Sequence, residues 1–308
     1  MIGETGEPAF SRFRAYSISE SLRARLPGVP AGGRVLAAFR RACVIQYGQD
    51  DLLALVTPDV GNGPLNVVMG HIPDAWLALG PGMPAQVQRS VIQVGGWEVN
   101  LNGAEAWDPR PGWNRLRPSS GVVLGRLERL LNRVDGHAPW ESLLGLCDDW
   151  GRSGVSGECR VQARVQGAAQ AMWAGWRGDD RQLRTGAARL AGLGNGLTPA
   201  GDDFVLGTML CAWLTHPNPN WYCDIVAEVS SPKTTKLSGA FLRSAAAGEF
   251  GAPWHRLLDS LRDGSDERVE TATRQVLAFG HSSGADALAG FLFVGRRVAK
   301  DLEGIQPL

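Results

Sequence analysis

Gly192-Leu-Gly-Asn-Gly-Leu-Thr-Pro-Ala-Gly-Asp-Asp-Phe-Val-Leu-Gly-Thr-Met-Leu210 is the stretch on which the reading of this chain turns. Gly194 and Gly196 open positive φ values and let a ligand approach the backbone. Thr198 before Pro199 reads as an N-cap followed by the first helical residue. Asp202 and Asp203 then fall in the first turn, where the helix dipole favours negative charge. From Phe204 to Leu214 nearly every residue is apolar or small, so the helix is expected to be buried on most sides. A polar glycine loop feeding a buried helix costs stability unless it serves a purpose. This stretch is therefore the expected functional centre.

Outward from it, the second half of the chain reads as helix. Val123, Leu124, Leu127, Leu130, Leu131 and Val134 give helical spacing over Val122–Val134. Further helices are expected at Trp140–Trp150, Glu158–Trp176 and Asp180–Ala191. Beyond the glycine loop they are expected near 202–215, 221–230, 235–247, 253–263, 266–279 and 284–299. Within this half the central motif has an echo. Gly201-Asp-Asp-Phe-Val-Leu-Gly207 aligns with Gly284-Ala-Asp-Ala-Leu-Ala-Gly290, and both read G-x-D-x-x-x-G. Each follows hydroxyl residues, Thr198 in one case and Ser282-Ser283 in the other. In each, a glycine follows the aspartate by about one helical turn and shares its face. The expectation is two buried helices paired through their glycine faces, with their N-terminal ends together. Asp203 and Asp286 would then converge with Thr198, Ser282, Ser283 and His281. Hydroxyl and aspartate residues are also ordinary helix caps, and small residues ordinary helix-packing devices. It is the recurrence of the whole pattern that favours a functional reading.

The first half has a different character. Ser17–Leu26 suggests a short helix stopped by Pro27-Gly28, after a loosely ordered lead-in over residues 1–15. Val35–Tyr47, Leu52–Val56, Leu65–Met69, Val87–Gln93 and Trp97–Leu101 are short strand-like segments separated by turn residues. The expected fold class is α+β. An N-terminal antiparallel β-rich, barrel-like domain with a short N-terminal helix spans 1–118. A mainly α-helical domain carrying the glycine motif spans 119–308. The boundary is placed in the Pro-, Trp- and Arg-rich segment 102–120. There Arg110–Arg117 reads as a solvated linker, and Trp107 and Trp113 as residues packed in the interdomain seam in preference to a ligand contact.

Composition narrows the classes of function. The 31 basic residues balance 31 acidic ones, which argues against a nucleic-acid or anionic-membrane partner. The 5 cysteines are odd in number and lack C-x-x-C spacing, so neither a disulfide framework nor a zinc ribbon is expected. No signal-peptide pattern and no membrane-length apolar run is visible, and the expected location is cytoplasmic. The glycine run lacks the βαβ context of a dinucleotide fingerprint, and no P-loop lysine follows it. No G-x-S-x-G elbow occurs. A relay of His281, Ser282 and Asp286 is disfavoured, because their spacing suits capping. His71, His137, His216 and His255 show no metal spacing.

The chemistry open to the motif has several forms. Backbone N–H groups at Gly194, Asn195 and Gly196, with a helix N-terminus, suit a phosphate or carboxylate. Asp202, Asp203 and Asp286 are the candidate catalytic carboxylates. They would repel an anion unless a cation bridges them or a proton neutralises one. Asp203 and Asp286 are hard oxygen ligands suited to Mg²⁺. Thr198, His281, Ser282 and Ser283 are candidate substrate contacts. A third polar stretch, Ser230–Ser238, adds Thr234, Thr235 and Lys236 as a capped helix start that could also meet an anion.

Leu193-Gly-Asn-Gly-Leu-Thr-Pro-Ala-Gly-Asp-Asp-Phe-Val-Leu-Gly207 resembles the G-L-G-x-G-L-T-P-S-G-D-D-F-L-x-G signature of the AllH-like family. The family carries Ser where this chain has Ala200. Segments from Thr234 to Phe250 and from Gly280 to Gly290 also resemble family segments. The resemblance covers the helical half well and the β-rich half only in general character. It implies a subunit resembling that of oxamate carbamoyltransferase, working with other protein subunits. The implied reaction is carbamoyl transfer between an oxalurate-type compound and phosphate, in allantoin (purine) breakdown. The implied ligands are phosphate, carbamoyl phosphate or a small carboxylate. Two alternatives stand beside it: a non-catalytic partner or ligand-sensing subunit, and a stand-alone metal-dependent hydrolase.

Overall fold

A computed structural model describes residues 10–70, 78–131, 143 and 159–303 of the 308-residue chain. His71, His137, Cys147 and, apart from Leu143, the helix expected at Trp140–Trp150 lie outside the described residues. The chain divides into two compact units, residues 1–109 and 110–308.

The first unit is a closed barrel. Its strands are β1 (Ser11–Ser19), β2 (Ala31–Ala38), β3 (Ala42–Tyr47), β4 (Asp51–Val56), β5 (Asn66–Met69), β6 (Pro84–Val87), β7 (Val91–Val94), β8 (Trp97–Asn100) and β9 (Glu105–Trp107). The order is β5-β4-β3-β2-β6-β7-β8-β1-β9, and a further β5–β1 pairing closes eight of them into a ring. β1 is the hub. Ser11–Arg14 lie parallel to β8, Ser17–Ser19 parallel to β9, and Ala15–Ile18 antiparallel to β5. With β4–β5 also parallel, the expected antiparallel character gives way to a mixed barrel. Bulges at Ala15/Ser17 in β1 and Val35/Ala37 in β2 supply local bending of the kind that helps a small sheet close. Ile18, Ile45, Leu53, Leu55, Val67, Met69, Ile92 and Val99 fill the interior.

Three expectations are corrected here. Residues 11–15 are strand rather than lead-in, and the helix starts at Glu20, not Ser17. Tertiary pairing on both edges of Ser11–Ser19 outweighs a composition that is poor in strand formers. Ser19 then caps α1 (Glu20–Arg25) by accepting from Leu22 N. The expected segment Val35–Tyr47 is also two strands, turned between Ala38 and Ala42.

The second unit is helical: α2 (Trp113–Leu116), α3 (Ser120–Leu131), α4 (Cys159–Trp176), α5 (Asp180–Leu190), α6 (Ala200–Thr215), α7 (Pro219–Ser230), α8 (Lys236–Ala246), α9 (Ala252–Asp263), α10 (Asp266–Leu277) and α11 (Ser283–Glu303). It has its own apolar core, with Phe204, Met209, Leu210, Tyr222, Leu288 and Phe291 fully buried. The expected solvated linker is corrected in part. Arg117 donates to Trp213 O at 2.9 Å and to His216 O at 2.8 Å, meeting the carbonyls at the C-terminal end of α6. Trp113 packs within the second unit, where it is stacked on Trp213 and donates to Gly248 O at 3.0 Å. Cys43, Cys211 and Cys223 are buried free thiols. Among the described residues no helix is long and apolar enough to cross a membrane.

Candidate functional site: a carboxyl cluster between two glycine-paired helices

The site is set by how closely α6 and α11 can approach. Their contact is backbone to backbone at two glycines. A β-carbon on Gly207 would lie 1.8 Å from Ala287 O, and one on Gly290 would lie 1.9 Å from Phe204 O. No side chain fits there, so each glycine holds the place the echo in sequence gave it. The helices run in the same direction. Thr198 meets Ser283 at their start, Gly207 meets Phe291 further on, and Gly295 faces Cys211 beyond. Their N-terminal ends are therefore together, with Thr198 Oγ1 and Ser283 Oγ 2.9 Å apart.

The start of α6 departs from expectation. Pro199, not Thr198, takes the N-cap position, and α6 has no side-chain cap bond. Instead the loop turns back on the helix: Gly201 N donates to Leu193 O, and Asp202 N and Asp203 N donate to Pro199 O. These first N–H groups are therefore spent inside the loop, and Thr198 is released to bond across to α11. Gly194 and Gly196 have φ values of 119° and 93°, as the glycine-rich spacing required. Gly194, Asn195 and Gly196 are exposed.

The two adjacent aspartates have different surroundings. Asp202 is buried, and three donors meet it. Gly192 N reaches Oδ1 at 2.8 Å, while Thr234 Oγ1 and Ser238 Oγ (2.9 Å) reach Oδ2. It ties the end of α5 and the start of α8 to α6. Burial pushes its pKa up, and the three donors oppose that rise. Asp203 is also buried, but its Oδ2 has no partner among the described residues. Burial drives its pKa well above the usual carboxylate range. The Ser283 hydroxyl opposes this, while the negative charges of Asp286 and Asp202 add to it. Asp286, fully buried on α11, accepts from Leu143 N at 2.6 Å through Oδ1, and its Oδ2 likewise has no partner among the described residues. Burial raises its pKa too, against the Leu143 and Ser282 donors. Among the described residues, no lysine or arginine bonds to these three carboxyls or shifts their ionisation.

Asp203, Asp286, Thr198, Ser282 and Ser283 are thus brought together, as the repeat predicted. Thr234 and Thr235 lie beside them but are engaged in bracing. Thr234 holds Asp202, while Thr235 Oγ1 donates to Leu197 O and accepts from Ser238 N as the cap of α8. His281 and Lys236 are exposed. Ser238 was not singled out as a site residue. Its place as the third helical residue after the Thr235 cap, from which a side chain reaches back past the cap, is the signal that could have found it. Among the described residues no group of three or more His, Cys, Asp or Glu side chains is arranged to hold a metal ion, so Asp203 and Asp286 stand as a carboxyl pair without a third such ligand.

A mixed β-barrel and a helical unit centred on a carboxyl cluster define a two-unit α+β protein. Two family models match the units separately: the AllH family N-terminal domain over residues 14–106, and the model described as oxamate carbamoyltransferase subunit AllH over residues 190–294. The chain belongs to the AllH family. No solved structure matches it.

Proposed function

We propose that the chain is a subunit of an oxamate carbamoyltransferase-type enzyme and holds a small anionic substrate at the joined N-terminal ends of α6 and α11. The observation that carries this is the coincidence of the family match at 190–294 with the buried, partly unpartnered carboxyl cluster. A structural cluster satisfies its buried polar atoms, as Asp202 does, and the two unpartnered oxygens of Asp203 and Asp286 call for another explanation. The exposed loop Gly194–Gly196 supplies backbone N–H groups for the charged end of a small carboxylate.

The subunit reading draws on charge. Carbamoyl phosphate needs cationic contacts around its phosphoryl oxygens. With no lysine or arginine among the cluster's partners in the described residues, a partner subunit is a natural source of those contacts. Mg²⁺ bridging Asp203 and Asp286 is the other way to supply positive charge. It asks for about six oxygen ligands and for ionised carboxylates, which burial disfavours here.

The test is reconstitution. The chain is purified alone and with the products of neighbouring genes, then assayed for carbamoyl phosphate formation from oxalurate and phosphate. Activity is expected only in the mixture. Full activity of the chain alone would overturn the subunit reading. Asp203→Asn in the reconstituted enzyme is expected to lower the rate at least tenfold, with circular dichroism unchanged.

A further inference from the structure

We infer that the Asp203–Asp286 pair is a subsite for a primary carboxamide, the uncharged end of an oxamate-like substrate, rather than for phosphate. The inference rests on the carbamoyltransferase-subunit reading for the identity of the substrate, but its geometry is independent of that reading.

The pair offers two oxygens, Asp203 Oδ2 and Asp286 Oδ2, each buried and each without a partner. They sit on helices held against each other by glycine contacts, so the pair is fixed by backbone packing. Two neighbouring buried carboxyls with no cationic partner among the described residues cannot both be ionised cheaply, and burial with mutual repulsion favours one proton shared between them. Such a pair presents one donor and one acceptor. A primary carboxamide presents the complement in one plane, with an acceptor at its carbonyl oxygen and donors at its nitrogen. Phosphate presents acceptors and negative charge, and the remaining carboxylate repels it. A second carboxylate in place of the amide, as in oxalate, meets the same repulsion.

The surroundings sort a two-ended ligand the same way. On one side lie Thr198 and Ser283, half-buried hydroxyls that can turn to donate or accept. Beyond them lies the exposed loop Gly194–Gly196, with open space beside the α-carbon of Gly196. A carboxylate suits the N–H groups of that loop and an amide suits the carboxyl pair. The cluster thus reads the uncharged end of the substrate, and the loop reads the charged end.

Calorimetric titration of the full chain with oxamate, oxalate and inorganic phosphate, each with and without Mg²⁺, tests this. Oxamate is expected to bind at least tenfold more tightly than oxalate or phosphate, with no dependence on Mg²⁺. Asp286→Asn and Asp203→Asn are each expected to weaken oxamate at least tenfold and to shrink its advantage over oxalate. Where either variant fails to fold, Ser283→Ala, which leaves both carboxyls in place, is expected to weaken oxamate more than oxalate. Equal binding of oxalate or phosphate, binding that requires Mg²⁺, unchanged oxamate binding in both folded aspartate variants, or no binding of any of the three overturns the proposal. The two readings fail separately. Selective oxamate binding with no carbamoyl transfer in any reconstituted mixture sinks the enzyme reading and leaves the subsite. Transfer activity that survives both aspartate substitutions sinks the subsite alone.

Discussion

Asp202 and Asp203 are joined by one peptide bond and are both buried, yet their hydrogen-bond partners differ. Asp202 is saturated by Gly192, Thr234 and Ser238, so its work is to hold three segments in register. Asp202→Ala leaves buried donors without an acceptor, and a loss of about 2–4 kcal/mol is expected from the cost of such groups, read as a lower urea midpoint. Asp203 is expected to behave in the opposite way. Its native pKa lies above the ordinary value of 3.8, so the native state binds more protons than the unfolded chain. Its contribution is fully present below the unfolded value and is lost as pH rises through the native one. Asp203→Asn removes that titration. In urea denaturation the variant is therefore expected to gain on the wild type as pH is raised from acid to alkaline. A constant difference between the two would contradict the raised native pKa. Sequence placed both residues in the first turn of a buried helix. What distinguished them was invisible there, because the donors to Asp202 come from the end of α5 and the start of α8, brought in only by folding.

Among elements, the α6–α11 pair shows why one feature can be read from sequence and its neighbour cannot. The G-x-D-x-x-x-G repeat places aspartate and glycine on one helical face, and that follows from helical periodicity alone. It correctly paired the helices and brought their starts together. The N-cap of α6 was misread because Thr198 finds its partner on Ser283 in another helix, whereas capping rules consider only neighbours in sequence. Gly207→Ala tests the close approach. The added carbon would lie 1.8 Å from a backbone carbonyl, which rigid helices cannot relieve by a rotamer change. Overpacking ordinarily costs about 1–3 kcal/mol, and this site is expected at or above the top of that range, read as a fall in the thermal midpoint. Gly196→Ala, where the added carbon meets open space but φ is positive, is expected to cost less than Gly207→Ala.

At the level of the whole molecule, the α+β reading held because the change from two-residue to helical periodicity is a local property of the chain. The closure of the barrel is not local. β1 was missed because Ser11–Ser19 earns its strand conformation from β5, β8 and β9, none of them adjacent in sequence. The two apolar cores share no residue, so residues 1–109 and 110–308 are each expected to unfold cooperatively when expressed alone. A fragment lacking a cooperative transition would show that its core depends on the other unit. The same hub strand has a consequence for synthesis. β1 leaves the ribosome before the other barrel strands, yet Ser11 finds its partner at Trp97 and Ser17 finds one at Glu105. Until those residues emerge, the first strand has an unfilled edge, which is the setting in which nascent chains pair wrongly. Closing the barrel is thus a late step imposed by an early segment. A chain stalled before residue 97 should engage chaperones through β1 rather than through its newest residues.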